Sequence, residues 1–147
     1  MRNYKAITMH YTMLQTTWQQ HRAELAQVRR AVFIDEQKVP EKLEWDEYDE
    51  SCIHILVFSD TLPIATGRMK LDGHIGRMAV LKPWRNQGVG SSIINALLVH
   101  AEKSGIKRVY LHAQTSALLF YQRHGFSVCS EQFMDAGIPH KSMQKKI

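Results

Sequence analysis

The sequence has few of the features that mark secreted, membrane or metal-binding proteins. Its two cysteines, Cys52 and Cys129, are too few and too far apart for a disulfide framework or a zinc site, which indicates buried free thiols in a reducing compartment. No apolar run approaches 18 residues, and residues 1–5 do not resemble a signal peptide. The eight histidines are scattered singly, so we predict no metal. We therefore expect a soluble, cytoplasmic protein without a membrane partner.

Several familiar functional motifs are also missing. No Gly-x-Ser-x-Gly occurs, so that signature of a serine nucleophile is absent. Gly88 and Gly90 are not followed by the Lys-Ser or Lys-Thr of a P-loop, and Ile93 stands where a dinucleotide fingerprint needs its third glycine. Clustered basic residues with interleaved aromatics are absent too. We therefore predict no nucleic-acid partner.

The charge is unevenly spread along a chain of 147 residues, which we predict to form one domain over residues 1–147. The formal net charge is +5, yet residues 35–50 hold eight acids against two lysines, a net of −6 that leaves +11 on the remainder. A basic body suits a polyanionic cofactor. The acidic segment either attracts a cationic substrate or is a solvated loop.

Hydrophobic periodicity predicts a mixed α/β fold. We expect strands at residues 4–11, 53–58, 62–71, 75–81, 108–112, 126–134 and 141–145. A Thr-x-x-Gln capping box at Thr16 opens a helix that runs to about Glu36, and Pro40 ends this helix or its successor. The polar run of residues 41–51 indicates a loop or a short second helix. A longer helix should follow Gly88 and end at Gly105, and a short helix should span residues 116–124. The two longer helices each have one apolar face, formed by Leu25, Val28 and Val32 in the first and by Val89, Ile93, Leu97 and Ala101 in the second.

The most informative stretch is residues 75–92, where a strand, a proline turn and a glycine loop precede a helix. Gly88 and Gly90 lack a β-carbon, so a diphosphate could approach the backbone amides closely. The first amides of a helix are unpaired and carry partial positive charge, and Arg85 adds a cation beside them. The stretch therefore predicts an anion site, with a purely structural helix start as the alternative.

This stretch resembles the coenzyme A loop of the GNAT family, the Gcn5-related N-acetyltransferases. About thirty residues later, segment 114–126 resembles the family's Asn-x-x-Ala-x-x-Phe-Tyr-x-x-x-Gly-Phe signature, except that Gln114 stands where the family usually has Asn. A helix and a strand separate the two segments, and the resemblance covers essentially the full chain. Residues 32–37 and 135–140 are similar to the small ElaA-like group within the family.

The resemblance implies a fold, a reaction and a set of cofactor contacts. The fold is the GNAT acyl-CoA N-acyltransferase fold, an α/β (α+β) arrangement of a mixed, mostly antiparallel twisted sheet of six to seven strands with about four helices, in which one parallel pair splays at the cofactor. The reaction transfers an acetyl group from acetyl-CoA to a primary amine of a small molecule or protein by direct attack on the thioester. The implied cofactor-binding residues are Met78, Ala79, Val80, Arg85, Asn86, Gln87, Gly88, Val89, Gly90, Ser91, Gln114, Phe120, Tyr121 and Arg123.

Catalytic roles follow from the same resemblance. A backbone amide near Val80 would stabilise the thioester oxyanion, and Tyr121 would be the general acid for the leaving thiolate, unless it only packs beside the sulfur. The sequence does not single out the base that must deprotonate the acceptor amine. Our candidates are Glu36, at the end of the first helix, and the histidines His54, His112 and His140. For His54 and His112, which lie in predicted apolar strands, a satisfied core histidine is the commoner explanation.

Three alternatives to this reading stay open on sequence alone. The protein could bind acetyl-CoA as a sensor or structural module without transfer, or it could use a longer acyl-CoA. A homodimer is compatible with the fold, but no self-complementary patch is evident in the sequence.

Overall fold

The computed structural model of the protein describes residues 10–147, so most of the strand predicted at 4–11 lies outside the described residues. The described residues contain four α-helices: α1 (Trp18–Arg29), α2 (Glu41–Glu44), α3 (Val89–Lys103) and α4 (Leu118–Arg123). The strands are β1 (Thr12–Thr16), β2 (Ile53–Ser59), β3 (Leu62–Met69), β4 (Ile75–Val80), β5 (Arg108–Gln114), β6 (Ser127–Val128), β7 (Phe133–Asp135) and β8 (Ile138–Lys146).

The strands form two sheets that meet along one parallel edge. The first sheet is an antiparallel meander in the order β1-β2-β3-β4, and the second has the order β5-β8-β6, with β7 also paired to β8. In the described part of the chain, the one bridge between the sheets joins His74 to Tyr110 in parallel orientation, just before β4 begins. Beyond that bridge β4 and β5 are not paired, which is the splayed parallel pair expected from the sequence.

The first helix is close to its predicted position and differs only at its N-terminus. Its N-cap is Thr17 rather than Thr16, because the Thr17 side chain accepts a hydrogen bond from the Gln20 amide. After Arg29 the helix continues as a π-helix, Arg30–Glu36, so the predicted end at Glu36 is confirmed. The predicted apolar face is confirmed as well, since Leu25, Val28 and Val32 are all buried.

The segment that follows is more regular than expected. Pro40 does not end a helix: it is the N-cap of α2, where the fixed proline φ is compatible with a helix start. A 3₁₀ turn, Glu47–Glu50, comes next, capped by the Asp46 side chain on the Tyr48 amide. The two short helices return acidic side chains toward the sheet, which the polar composition of this segment did not reveal.

The core lies between the sheets and α3, whose predicted apolar face is confirmed. Val89, Ile93, Leu97 and Ala101 are each at most 1% exposed and pack against strands of both sheets. Gly88 begins α3 with φ +86°, and Gly105, with φ +77°, follows its last turn as a left-handed cap. Helix α3 is thereby fixed with its N-terminus at the open end of the β4–β5 gap.

The final strands differ from the single long strand predicted at 126–134. That stretch is interrupted, giving β6 and β7 as separate short partners of β8, so the described residues contain eight strands rather than six or seven. The interruption contains Cys129, which is exposed, whereas Cys52 is buried as expected. Within residues 10–147, no helix is long and apolar enough to cross a membrane.

Candidate active site

A cavity of about 340 Å³ opens in the gap between β4 and β5. The π-helix, the segment after it and the β7–β8 hairpin form its other walls. Of the residues predicted to bind the cofactor, Met78, Gln114 and Tyr121 line this cavity, and so do the candidate bases His112 and His140. Most of the other predicted residues lie on β4 and the loop after it, whereas Phe120 and Arg123 lie on α4. The gap thus combines the predicted acid with a space large enough for the end of a small substrate.

Strand β4 carries a bulge that exposes its backbone to the gap. The pairing with β3 shifts register opposite Gly67, and Arg77 adopts φ +50° there. A β-carbon on Gly67 would lie 2.6 Å from the Met78 sulfur, so any larger residue would have to displace the Met78 side chain. The bulge places Arg77 and Met78 in the cavity wall.

The backbone of Val80 faces the gap. The Leu81 amide donates to the Ile64 carbonyl at 2.9 Å. Since hydrogen-bonded pairs alternate along an antiparallel ladder, Val80 must direct its own amide and carbonyl away from β3. The side chain of Arg85 confirms this direction, because its Nε donates to the Val80 carbonyl at 2.8 Å. The Val80 N–H is therefore presented to the space where a thioester carbonyl could lie.

The glycine loop presents a row of unpaired amides. Within residues 10–147, the backbone N–H groups of the five residues from Gln87 to Ser91 donate to no backbone or side-chain acceptor. Gly88 has nothing within 4 Å of the place where a β-carbon would be, so this face of the loop is open. Asn86, with φ +61°, sets the turn that aligns these amides at the start of α3. Such a row of donors suits a diphosphate.

Arg85 is held by a salt bridge to Glu36, a contact that the sequence did not indicate. Its Nη1 and Nη2 donate to the two Glu36 oxygens at 2.8 and 2.7 Å. Hydrogen bonding to Arg85 lowers the pKa of Glu36, which makes this carboxylate a weaker base. Glu36 also lies outside the cavity lining, so the geometry does not favour it as the catalytic base.

Gln37, the residue after Glu36, closes the same end of the gap together with Gln114. Gln114 donates through Nε2 to Gln37 Oε1 at 2.8 Å, which ties the end of β5 to the end of the π-helix. The amide side chain of Gln114 can still turn between donor and acceptor partners, so the departure from the family's usual Asn keeps an amide at this place.

Helix α4 delivers Tyr121 to the floor of the cavity. Its side chain is 8% exposed, and burial raises the pKa of the phenol, so the hydroxyl stays protonated at neutral pH. Phe120, one residue before, packs against Gly90: a β-carbon there would lie 3.3 Å from the Phe120 ring. Arg123 is exposed at the end of α4. The turn from β5 into α4 thus places a protonated phenol at the cavity and packs Phe120 against the glycine loop.

The three candidate histidines occupy different places. His54 is a core residue: it is 1% exposed, and its Nε2 bonds the Asp49 carbonyl at 2.9 Å. Burial lowers the pKa of His54. His112 is exposed rather than buried, lines the cavity and contacts Ser142 Oγ through Nδ1 at 2.8 Å. His140 is buried and also lines the cavity.

A network of buried ion pairs, which sequence reasoning missed, supports one wall of the cavity. Arg29 is fully buried and binds Glu44 at 2.8 Å and Asp49 at 2.6 Å. Arg68 joins Asp49 to Asp46, each at 2.7 Å. Although burial opposes ionisation, Arg68 lowers the pKa of Asp46 to about 2. Three acids of the segment, Glu44, Asp46 and Asp49, are therefore held in ion pairs and not left as free carboxylates.

Arg77 extends this network to the cavity. It binds Glu44 and Asp46, each at 3.2 Å, and its guanidinium also donates to the Glu44 carbonyl. The signal that could have revealed the network was Arg68, a charged residue inside an apolar strand, together with the net −6 of residues 35–50. Charges at such positions are usually paired.

Comparisons with known proteins identify the family. Over residues 15–147 the chain matches the family described as Acetyltransferase (GNAT) domain. It is 43% identical over 122 residues to the N-acetyltransferase YjcF of Bacillus subtilis (strain 168), across 80% of this chain and 87% of the relative. It is 32% identical over 131 residues to the protein ElaA of Escherichia coli (strain K12), across 84% of this chain and 86% of the relative.

Solved structures show the same fold. The crystal structure of Escherichia coli ElaA superposes with a TM-score of 0.84 at 27% identity and covers 92% of this chain and 99% of its own. A GNAT family acetyltransferase from Elizabethkingia anophelis, solved with acetyl-CoA bound, has a TM-score of 0.69 at 16% identity, with 93% and 98% coverage. The predicted fold class is confirmed by these structures, and the ElaA-like resemblance by the ElaA matches. The chain belongs to the GNAT acetyltransferase family and is an ElaA-like N-acetyltransferase that transfers an acetyl group from acetyl-CoA.

Proposed function

We propose that residues 1–147 form one acetyltransferase domain that acetylates a primary amine in the gap between β4 and β5. The observation that carries the proposal is the continuity of this gap. The unpaired amides from Gln87 to Ser91 lie at one end, the outward amide of Val80 lies beside them, and Tyr121 lines the cavity that follows.

The cofactor would be bound mainly by backbone groups. The five loop amides would hold the diphosphate, and the unpaired edge of Met78, Ala79 and Val80 would pair with the amide-rich pantetheine arm. Gln114 would contact the same arm from β5, while Phe120 and Arg123 would contact the cofactor from α4. Because Arg85 binds Glu36, this arginine would have to exchange that carboxylate for a phosphate oxygen.

The chemistry would use one backbone donor and one side-chain acid. The Val80 amide would donate to the thioester oxygen as negative charge develops on it, a contribution worth on the order of 100-fold in rate. Tyr121 would donate its proton to the departing sulfur, since burial keeps the phenol protonated.

The acceptor would enter through the wide side of the cavity, between the π-helix and the β7–β8 hairpin. A volume of about 340 Å³ favours a small amine or an extended side chain over a folded surface. The carboxylates of Asp46 and Glu44 are already paired with Arg68 and Arg77. These two carboxylates would therefore contribute little net charge to recognition of the acceptor.

The test is CoA thiol release from acetyl-CoA across four amines: spermidine, glucosamine, histamine and Nα-acetyl-lysine. Gly88→Trp should abolish acetyl-CoA binding and thiol release, because the indole would cover the loop amides. Gly105→Trp is the matched control, since both glycines have positive φ and open space at the β-carbon. Both variants carry similar backbone strain.

Two outcomes would count against the proposal. Equal loss in the two tryptophan variants would show that strain alone was responsible and that the loop does not hold the diphosphate. Wild-type binding of acetyl-CoA without acetylation of any of the four amines would favour a sensor, a reading that no observation in this structure supports.

A further inference from the structure

The two faces of β5 separate groups that could act on opposite sides of a thioester. Leu111 and Ala113 point into the core together with Tyr121. Side chains alternate along a strand, so His112 and Gln114 point to the other face. His140 is the β8 partner of Gln114 and therefore shares that second face. Tyr121 and His140 thus reach the same cavity from opposite faces of the sheet.

The ring of His140 is held in one orientation. Its Nδ1 lies 2.7 Å from the Ile138 carbonyl oxygen, and a carbonyl can only accept, so Nδ1 carries a hydrogen. In the neutral ring Nε2 is then the unprotonated nitrogen. Phe133 stacks on the ring with centroids 5.9 Å apart and an interplanar angle of 22°. A fixed tautomer with a free acceptor nitrogen is what a proton-accepting group needs.

Nε2 of His140 is open to the cavity. Among residues 10–147 it has no hydrogen-bond partner. The one side-chain polar atom in these residues that is both fully buried and without a partner is Oδ2 of Asp49, so Nε2 of His140 is not fully buried. Because His140 lines the cavity, its Nε2 can meet a substrate atom.

We propose that His140 is the general base that accepts a proton from the acceptor amine through Nε2. The proposal rests on the proposed function. An incoming ammonium gives one proton to Nε2, which later releases it to solvent. The freed amine forms a bond to the thioester carbon as the carbon–sulfur bond breaks. Tyr121 gives its proton to the sulfur and regains one from the nitrogen, which loses its second proton in this step. The products are the acetamide, free CoA thiol and one proton.

The other candidates lack this combination. Glu36 is paired with Arg85 outside the cavity, and His54 is bonded to the Asp49 carbonyl in the core. His112 lines the cavity, but its Nδ1 faces a hydroxyl that can donate or accept, so its tautomer is not fixed.

Several titratable and charged groups face the same cavity from the elements packed around His140. They are His112 on β5, Asp135 on β7, Tyr121 on α4, His74, Lys70, Arg68 and Arg77 on the first sheet and its turn, and Glu44 and Asp46 from the acidic segment. The last two are neutralised by Arg68 and Arg77. Asp135 makes no ion pair within the described part of the chain.

The first test is the pH dependence of kcat/KM, measured with whichever of spermidine, glucosamine, histamine and Nα-acetyl-lysine releases thiol fastest. His140→Gln should lower kcat/KM at pH 7 by about 100-fold or more. Its rate should then rise tenfold per pH unit toward the amine pKa, near 10.4 for a lysine-like amine, because only free amine reacts. The kcat/KM of the wild type should reach its plateau at a lower pH. His112→Gln should keep the wild-type shape of the profile.

The second test needs no turnover. Long-range proton–nitrogen NMR spectra of ¹⁵N-histidine protein should show His140, assigned by its loss in His140→Gln, with hydrogen on Nδ1 and none on Nε2 at high pH. Acetyl-CoA affinity and thermal unfolding of His140→Gln should match the wild type, which shows that the variant is folded.

The outcomes separate this proposal from the proposed function. Wild-type transfer with an unchanged pH profile in His140→Gln would overturn the base assignment, and so would a neutral ring with hydrogen on Nε2. If the pH profile changed in His112→Gln and not in His140→Gln, the role of base would belong to His112. Absence of thiol release from the wild type with all four amines would instead overturn the proposed function.

Discussion

Replacement of Arg29 by methionine should destabilise the protein more than any other single change of a charged residue on α1. The guanidinium is fully buried beside two indole rings, with its central carbon 5.4 Å from the centre of Trp18 and 5.1 Å from that of Trp45. It donates to Glu44 and Asp49, which are themselves almost fully buried. Methionine fills much of the space but leaves these carboxylates with fewer counter-charges. Breaking such a pair costs about 3–5 kcal/mol.

The cost should depend on pH in a definite direction. Burial already raises the pKa of Glu44, and loss of Arg29 removes one of the groups that oppose that rise. When the folded pKa lies above the unfolded value of about 4.3, the folded state binds more protons as the pH falls. The penalty is therefore complete above the folded pKa of Glu44 and shrinks as the pH falls toward the unfolded value. We expect Arg29→Met to cost less at pH 5 than at pH 8.

Urea unfolding at the two pH values measures both effects. Arg30→Met is the matched control, because Arg30 is the next residue and pairs with Glu41 at the exposed surface, where such pairs contribute little. Adding Glu44→Gln to Arg29→Met should recover part of the stability and flatten the pH dependence. An Arg29→Met variant no less stable than Arg30→Met, or a cost that grows as the pH falls, would refute this reasoning.

Three further changes test other parts of the site. Tyr121→Phe should lower kcat by about 100-fold while the Kd for acetyl-CoA, measured by calorimetry, stays nearly constant. Glu36→Gln should lower the KM for acetyl-CoA by at most about 5-fold, because it releases Arg85 from a partly exposed pair. Gly67→Ala should cost about 1–3 kcal/mol in urea unfolding, because its methyl group would press on Met78 and the β4 bulge. An unchanged kcat in Tyr121→Phe would count against the acid role, and an unchanged KM in Glu36→Gln against a phosphate contact of Arg85. An unchanged stability in Gly67→Ala would count against close packing at the β4 bulge.

The parts of the fold that sequence patterns predicted are those set by local chemistry. The four-residue interval from Val89 to Ala101 fixes the buried face of α3, and Gly88 and Gly105 fix its ends. The glycine loop could be located because two glycines directly before a helix mark a turn with open backbone amides. The position of Tyr121 followed from the signature of residues 114–126.

The parts that could not be predicted depend on residues that are distant in sequence. Arg29 and Asp49 are 20 positions apart, and Gln37 and Gln114 are 77 apart, so no period or motif links them. The break between β6 and β7 has no local signal either, because the residues there form no contrasting pattern. The same limit applies to the base: His140 differs from His54 and His112 in the group opposite its Nδ1, and only the folded chain brings that group into place.

The most direct test of the account measures acetylated amine and free CoA thiol in the same reaction. Wild-type protein is incubated with acetyl-CoA and each of the four amines, the product amine is identified by its mass, and the thiol is quantified with a chromogenic reagent. We predict that at least one amine gains one acetyl group for each thiol released, and that Gly88→Trp abolishes both signals while Gly105→Trp retains them. Thiol release at the rate of background hydrolysis, with no acetylated amine, would contradict the account.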